Sequence, residues 1–296
     1  MNIIGRRRIW YAISLLIIVP GLFSLFTHGL RLGIDFKGGQ LLEVTGQVTT
    51  AQVQDSAAQL KLKDVSVISS SGNTLVRYRD DGDAKKQQQD HQVLSTILAN
   101  AGHHEVRFET VGPSISGDIT RNAIIAVALA AAAIVLYIAF AFRNIPPPVS
   151  SWGFGIAAIV ALLHDALLLI GVFSILGWLF QVEIDSLFVT AVLTVIGFSV
   201  HDTIVVFDRI RENLRRERGS FGQIVNQSIN ETLARSLNTS MTVLLTLLAL
   251  YLFGGETIRL FVLALLIGIA SGTYSSILNA APLLVTWQTF RSKRSK

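Results

Sequence analysis

An aspartate set in an apolar run is the first residue in this chain that could do chemistry. Residues 187–212 read LFVTAVLTVIGFSVHDTIVVFDRIRE. Apolar and small residues continue without a charge as far as His201 and Asp202, and the apolar pattern resumes before Asp208 and Arg209. Hydrocarbon cannot solvate a carboxylate, so ionisable residues inside membrane spans are rare and by default mark an ion or proton path. The competing reading ends the span earlier and leaves Asp202 in the headgroup layer. Residues 187–207 only just supply the ~20 apolar positions that a crossing needs, and a span that uses all of them holds Asp202 in the inner third of the bilayer.

A second pair, His164 and Asp165, lies within LLHDALLL, another apolar run. Two buried acids on different helices have the form of a relay. Desolvation favours the protonated carboxyl and a nearby cation favours the carboxylate, so an acid that alternately meets and loses a cation can load and release a proton. Arg235, in NETLARSLNTSMT, is the cation at a comparable depth. Arginine does not deprotonate, so it would act as a fixed charge gating Asp202; otherwise it is an interfacial anchor. His201 and the His164–Asp165 pair each read as relay members or as polar groups fixing helix packing.

Other chemistries find little support. Ser199, His201 and Asp202 include the three residue types of a hydrolytic triad, but successive helix positions diverge by about 100°, and no G-x-S-x-G elbow is present. No phosphate-binding loop of the G-x-x-x-x-G-K-[ST] type occurs. Cysteine is absent, which leaves no thiolate chemistry or disulfide framework. His91, His103 and His104 lack the paired spacing of a metal site. The chain is expected to be no enzyme, with no catalytic, cofactor or metal residues.

The elements that carry these residues are membrane spans. Of 296 residues, 51% are hydrophobic and 15% charged, against about 25% charged in soluble domains. Apolar blocks predict six spans, at residues 9–26, 123–142, 152–176, 187–207, 238–253 and 258–286. Between the fourth and fifth, 208–237 is polar and partly amphipathic. Pro146-Pro147-Pro148 cannot continue a helix and mark a short loop. The small residues Gly268, Ser271, Gly272, Ser275 and Ser276 favour close helix approach. Arg6–Arg8, Arg143, the arginines of 209–218 and the basic tail at 291–296 then fall on one side, which the positive-inside rule makes cytoplasmic. The net charge of +5 is thus a membrane-face feature, and nucleic acid is not expected as a partner.

The long polar insert therefore lies outside. Residues 30–39, LRLGIDFKGG, leave the membrane, and Gly38-Gly39 permit a sharp entry into a strand. Within 40–112 the periodicity predicts a strand at 40–48, a helix at 50–61 with Val53, Ala57 and Leu60 on one face, and strands at 65–69 and 74–79 joined at Ser71-Gly72-Asn73. A loop at 80–83, a helix at 86–100 burying Val93, Leu94, Ile97 and Leu98, and a strand at 105–111 complete it. The order βαββαβ is that of a ferredoxin-like unit. The expected organisation is 1–29, cytoplasmic start and first span; 30–120, external domain with linkers; 121–290, five-helix bundle; and 291–296, tail. The fold class is a polytopic α-helical membrane protein of six transmembrane helices with one external α+β domain between the first two.

With these residues laid out, the chain closely resembles the SecF family of the bacterial Sec protein-export machinery. The resemblance covers essentially the whole chain. It is carried by GIDFKGG (Gly33, Asp35, Gly38 and Gly39 within it), VGP at 111–113, LLHD at 162–165, GFSVHDTIVVFDRIRE at 197–212 (from Gly197 through Asp208 and Arg209), ETLARS at 231–236 and LYLFGG at 250–255. Two positions depart from the family pattern: His201 stands where Asn is usual, and Phe198 where Tyr is common. The resemblance implies half of a resistance–nodulation–division-like transporter in the bacterial cytoplasmic membrane, surrounded by lipid. It implies pairing with SecD, association with the SecYEG channel, and use of the proton-motive force to draw preproteins outward. Protons are the coupling ion, and the family's aspartate and arginine roles fall on Asp202 and Arg235. A small-molecule efflux half-transporter and a non-transporting assembly factor are the rival readings. Drug exporters of the related superfamily generally carry larger external domains than residues 40–112.

Overall fold

The structure, a computed structural model, describes all residues except 71, 81–82, 144, 147–149 and 295–296. The expected hairpin turn at Ser71, the loop at 80–83, the triple-proline loop and the end of the basic tail thus lie wholly or partly outside the described residues. Two compact units emerge, one of residues 1–31 with 125–296 and one of residues 32–124.

Within the smaller unit the GIDFKGG stretch folds as a short helix, α2 (Ile34–Lys37), which the sequence reading did not anticipate. Gly38 and Gly39 follow with φ of 74° and 125°, both in the region that only glycine enters freely. A Cβ on Gly39 would meet the Tyr78 carbonyl oxygen at 2.9 Å, so the second glycine is fixed by contact as well as by angle. The chain then runs β1 (Gly39–Thr45), α3 (Thr50–Gln59), β2 (Lys63–Ser70), β3 (Asn73–Arg79), α4 (Ala84–Asn100) and β4 (Glu105–Val111). The sheet order is β2-β3-β1-β4, and every pairing is antiparallel.

Thr49 caps α3 through a capping box with Gln52, and Asp83 caps α4; each supplies an acceptor to amides that a helix start leaves unpaired. Alternate positions of the central strands point inward. Leu42, Val44, Val76 and Tyr78 meet Val53 of α3 and Leu94 and Leu98 of α4 in one core. Val93 and Ile97 do not join it. They are 45% and 36% exposed, because the turn of the helix carries them past the sheet, and the expected four-residue buried stripe narrows to two.

Six described helical stretches are long and apolar enough to cross a membrane: Ile4–His28, Pro113–Ala141, Ser151–Phe180, Ser186–Arg216, Phe221–Phe253 and Glu256–Arg291. The first contains α1 (Arg7–His28), and the next four are α5 (Pro113–Ala141), α6 (Ser151–Phe180), α7 (Ser186–Arg216) and α8 (Phe221–Phe253). The last comprises α9 (Glu256–Ser275), a π-turn (Ser276–Ala280) and α10 (Ala281–Arg294). Hydropathy located each span but not its ends. The helix of α5 begins at Pro113, far ahead of residue 123, and α7 runs on through the charged segment. α8 starts at a Ser220–Gln223 capping box, so most of the stretch expected as a polar connector is helical. Charged residues end an apolar pattern without ending a helix.

Half or more of the apolar windows of α6, α7 and the last span is buried, against 6% for α5 and 11% for α8. The core of the bundle is therefore α6, α7 and α9. Between lipid-solvated helices there is little hydrophobic gain in association, so close approach of small residues does the work. A Cβ on Gly21 of α1 would lie 2.9 Å from the Gly171 Cα of α6, and one on Gly272 of α9 would lie 3.0 Å from the Ser199 Cβ of α7. Gly268 sits directly against Val195 in the same way.

Candidate functional site within the helical bundle

Asp165, in the middle of α6, is completely buried. Its carboxylate gathers donors from three helices. Oδ1 accepts from Ser271 Oγ at 3.0 Å and faces His164 Nδ1 at 2.9 Å. Oδ2 accepts from Ser275 Oγ at 2.6 Å and from Ser199 Oγ. An ionised carboxylate offers about four acceptor positions, and all are used.

Asp202, on α7, is equally secluded at 2% exposure but is differently served. Among the described residues its one side-chain hydrogen bond comes from Ser240 Oγ of α8, at 3.3 Å, and Ser240 in turn accepts from Thr273 Oγ1 of α9 at 2.6 Å. The two acids thus sit in separate hydrogen-bonded clusters. The relay suggested by two buried acids on different helices is not joined by hydrogen bonds among the described residues. Between the clusters, Thr203 Oγ1 meets Ser276 Oγ at 2.9 Å, and Ser276 donates to the Ser199 carbonyl at 3.1 Å.

A contact between Asp202 and Arg235 is likewise not made. Asp202 faces Ser240, Arg209 faces Glu231 and Asn213 faces Ser228. This steady register of antiparallel α7 and α8 sets Arg235 only about one helical turn (~6 Å) from Asp202 along the axis. Five residues separate Arg235 from Ser240, however, which is roughly 140° around the helix, and Arg235 points out of the bundle, exposed. Depth was legible from sequence and azimuth was not. His201 is exposed too, and among the described residues no hydrogen bond holds it to a neighbouring helix.

Where α7 and α8 emerge from the apolar region they are clasped together. Glu231 accepts from Arg209 Nε at 2.6 Å, from Asn213 Nδ2 at 2.8 Å and from Gln227 Nε2 at 2.9 Å. Arg209 also reaches Glu212, while Asp208 pairs with Arg211 at 2.8 Å. Gly197 is exposed on α7, with open space where a Cβ would stand. In the smaller unit Gly33 precedes α2, and Asp35 lies in its first turn. Sequence reasoning missed Ser14, Ser240, Thr273, Tyr274 and Asn279 altogether and read Ser271 and Ser275 as packing alone. Polar residues in a span were the available signal, but only the fold tells which of them converge.

Comparison with known proteins gives the family. Residues 93–290 match the family described as "Protein export membrane protein SecD/SecF, C-terminal", and residues 23–49 match "SecD/SecF GG Motif". The "Protein translocase subunit SecF" of Thermobaculum terrenum is 50% identical, over 97% of this chain and 94% of that protein. Its counterpart in Anaerolinea thermophila is 43% identical, over 98% and 94%. Among solved structures, "SecDF, a translocon-associated membrane protein" of Thermus thermophilus superposes with a TM-score of 0.85 at 34% identity, covering 98% of this chain. This chain spans 39% of that SecDF chain. With this family come protein translocation and a multi-pass place in the membrane: the chain belongs to the SecF family of protein translocase subunits.

Proposed function

We propose that this SecF-family chain works with a SecD-type partner to convert the proton-motive force into outward movement of preproteins at the SecYEG channel. It does so in the bacterial cytoplasmic membrane, as a transporter subunit and not as an enzyme, with protons and no bound cofactor. The observation that carries the reading is the contrast at α7 and α8. Asp202 is buried with one hydrogen bond at 3.3 Å, and an outward-facing arginine stands one turn away. A carboxylate so sparsely held can exchange its charge at little structural cost.

The outward residues point to a partner helix. Along the apolar part of α7 the exposed positions are Ser186, Thr190, Thr194, Gly197 and His201, and along α8 they include Arg235, Thr239, Thr242 and Thr246. The threonines bond back to their own helices, Thr194 to the Thr190 carbonyl and Thr246 to the Thr242 carbonyl, so lipid could cover them. Arg235 is the costly one for lipid to cover, since a charge facing hydrocarbon must reach for the headgroups. A second bundle over this face supplies the missing neighbour, and a SecD-type chain fits because the SecDF chain extends well beyond the part matched here. Protonation of Asp202 then acts by its different affinity for two arrangements of the bundles.

The remaining features fit this reading. Both termini are cytoplasmic by the positive-inside rule, and the small unit is external. Its βαββαβ order and β2-β3-β1-β4 sheet suit a ferredoxin-like domain. His201 and the Asp165–His164 pair tune or support the proton step at Asp202.

The test is export of a reporter preprotein in energised vesicles carrying Asp202→Asn, with SecD and channel levels matched. Asn keeps the size and cannot hold the charge. The stimulation by the proton gradient is expected to vanish; if it survives unchanged, Asp202 is a packing residue and the coupling reading fails.

A further inference from the structure

We propose that His164 is a second proton-holding group of the bundle and that Asn279 is its positioning residue. The amide of Asn279 turns over when the imidazole gains a proton, and this turn exchanges a hydrogen bond between the first and last spans. The inference rests on the proton-coupled reading above but concerns residues that the Asp202 cluster does not contain.

The hydrogen-bond network gives each hydrogen around His164 its place. Asp165 accepts only, so the hydrogen between it and His164, at 2.9 Å, sits on Nδ1. The neutral ring then offers Nε2 as an acceptor, and Asn279 Nδ2 stands 3.2 Å from it. The other Nδ2 hydrogen goes to Ser14 Oγ of α1, at 2.7 Å. Ser14 has one hydrogen, and it points to the Tyr274 hydroxyl at 3.1 Å. Tyr274 spends its own on the Trp10 carbonyl at 2.8 Å. Every hydrogen from Asp165 to Trp10 thus has one place, and the chain of bonds runs in one direction. One atom is left over: Asn279 Oδ1 is buried without a partner.

A proton arriving from water on Nε2 makes that nitrogen a donor, and it can no longer face an amide NH2. Turning the amide brings the unused Oδ1 to the imidazolium. The same oxygen now needs the Ser14 hydrogen, so Ser14 stops donating to Tyr274, whose hydroxyl hydrogen remains with Trp10. No covalent bond other than Nε2–H forms, and a hydronium ion becomes water. Each orientation of the amide leaves one of its two ends unpaired, so the charge on His164 decides between them. Among the described residues, the titratable groups facing His164 are Asp165 on its own helix and Tyr274 of α9, with ring centroids 6.3 Å apart, and α1 and α7 bring the Ser14 and Ser199 hydroxyls to the cluster. Asn279 can take part because it lies in the π-turn Ser276–Ala280, where the extra residue re-aims side chains of the last span. Such turns recur at functional sites.

The experiment uses the full chain in lipid nanodiscs with nitrogen-15 labels in histidine and asparagine side chains, read by NMR at pH 8 and pH 5. His164→Gln assigns the ring signal. The neutral ring is expected in its Nδ1–H form, and the Asn279 amide signal is expected to be displaced only together with conversion of the ring to imidazolium. In His164→Gln the amide signal is expected to stay put between the two conditions. Tyr274→Phe removes a bond that only the neutral state makes, so at one fixed intermediate pH the ratio of turned-over to unturned amide should rise roughly threefold, the worth of one hydrogen bond between spanning helices. A neutral ring that carries its hydrogen on Nε2, a ring that never becomes imidazolium, an amide that ignores the ring, or a Tyr274→Phe population equal to wild type each overturns the proposal. None of these readouts involves export or Asp202. A negative result here beside a positive Asp202→Asn export result rejects this inference alone.

Discussion

Asp165 and Asp202 look alike in sequence, each an aspartate after a histidine inside an apolar run, and the fold gives them opposite surroundings. Four donors meet Asp165, three of them serine hydroxyls from α7 and α9, whereas one distant hydroxyl meets Asp202. This difference predicts how each tolerates neutralisation. Asp165→Asn places an NH2 among groups that are themselves donors, and each buried group left unsatisfied costs about 1–3 kcal/mol, so the purified chain should unfold measurably earlier in a detergent titration. Asp202→Asn loses almost nothing, and its unfolding midpoint should match wild type. Equal destabilisation by the two changes would remove the distinction between a pinned carboxylate and a free one. The presence of both acids could be read directly from the sequence, because a charge in an apolar run stands out. Their division of labour could not, since Ser199, Ser240, Ser271 and Ser275 are unremarkable in a small-residue helix until the helices are brought together.

At the scale of elements, periodicity gave good positions and poor edges. The α3 cap at Thr49, the glycine entry to β1 and the strand at Glu105–Val111 follow from local chemistry that sequence displays. The π-turn in the last span was not read, although Asn279 interrupts the apolar pattern there and Pro282, which cannot donate a helical hydrogen bond, follows it. The stripe of α4 was half legible: four apolar positions fall at helical spacing, yet the sheet is wide enough to cover only Leu94 and Leu98. Truncation separates the pairs. Leu94→Ala should cost the small unit about 2–5 kcal/mol, the range for emptying a core site. Val93→Ala should lie within about 0.5 kcal/mol of wild type, as surface changes do. Hydrogen exchange of the β1 and β3 amides in the full chain reads both, and a large loss of protection in Val93→Ala would mean that this face is covered.

For the molecule as a whole, the two units are held by different forces and should answer differently to acid. The bundle is fixed by small-residue contacts and by polar pins such as those around Asp165. The small unit relies on an apolar core with a histidine at its margin: His91 packs against Phe108 with the rings tilted by 43° and centroids 3.6 Å apart, and its Nε2 lies 3.1 Å from Glu105 Oε2, at ion-pair distance though off hydrogen-bond geometry. Burial lowers the proton affinity of His91 below its ordinary value, and the Glu105 charge opposes this only in part. An unfolded chain protonates this ring near pH 6.5, while the folded unit resists. The unfolded state therefore binds more protons in that window, and stability rises with pH across it. The contribution is complete above the unfolded value and is lost as pH falls through it towards the lowered, folded one. Protection of the α4 and β4 amides in the full chain, corrected for intrinsic exchange, should accordingly decline between about pH 7.5 and 5.5. His91→Gln should flatten that decline, because glutamine does not titrate. A slope unchanged in His91→Gln would assign the acid sensitivity to other groups of the unit. A parallel decline in α6 and α7 would mean that the two units do not respond to acid separately.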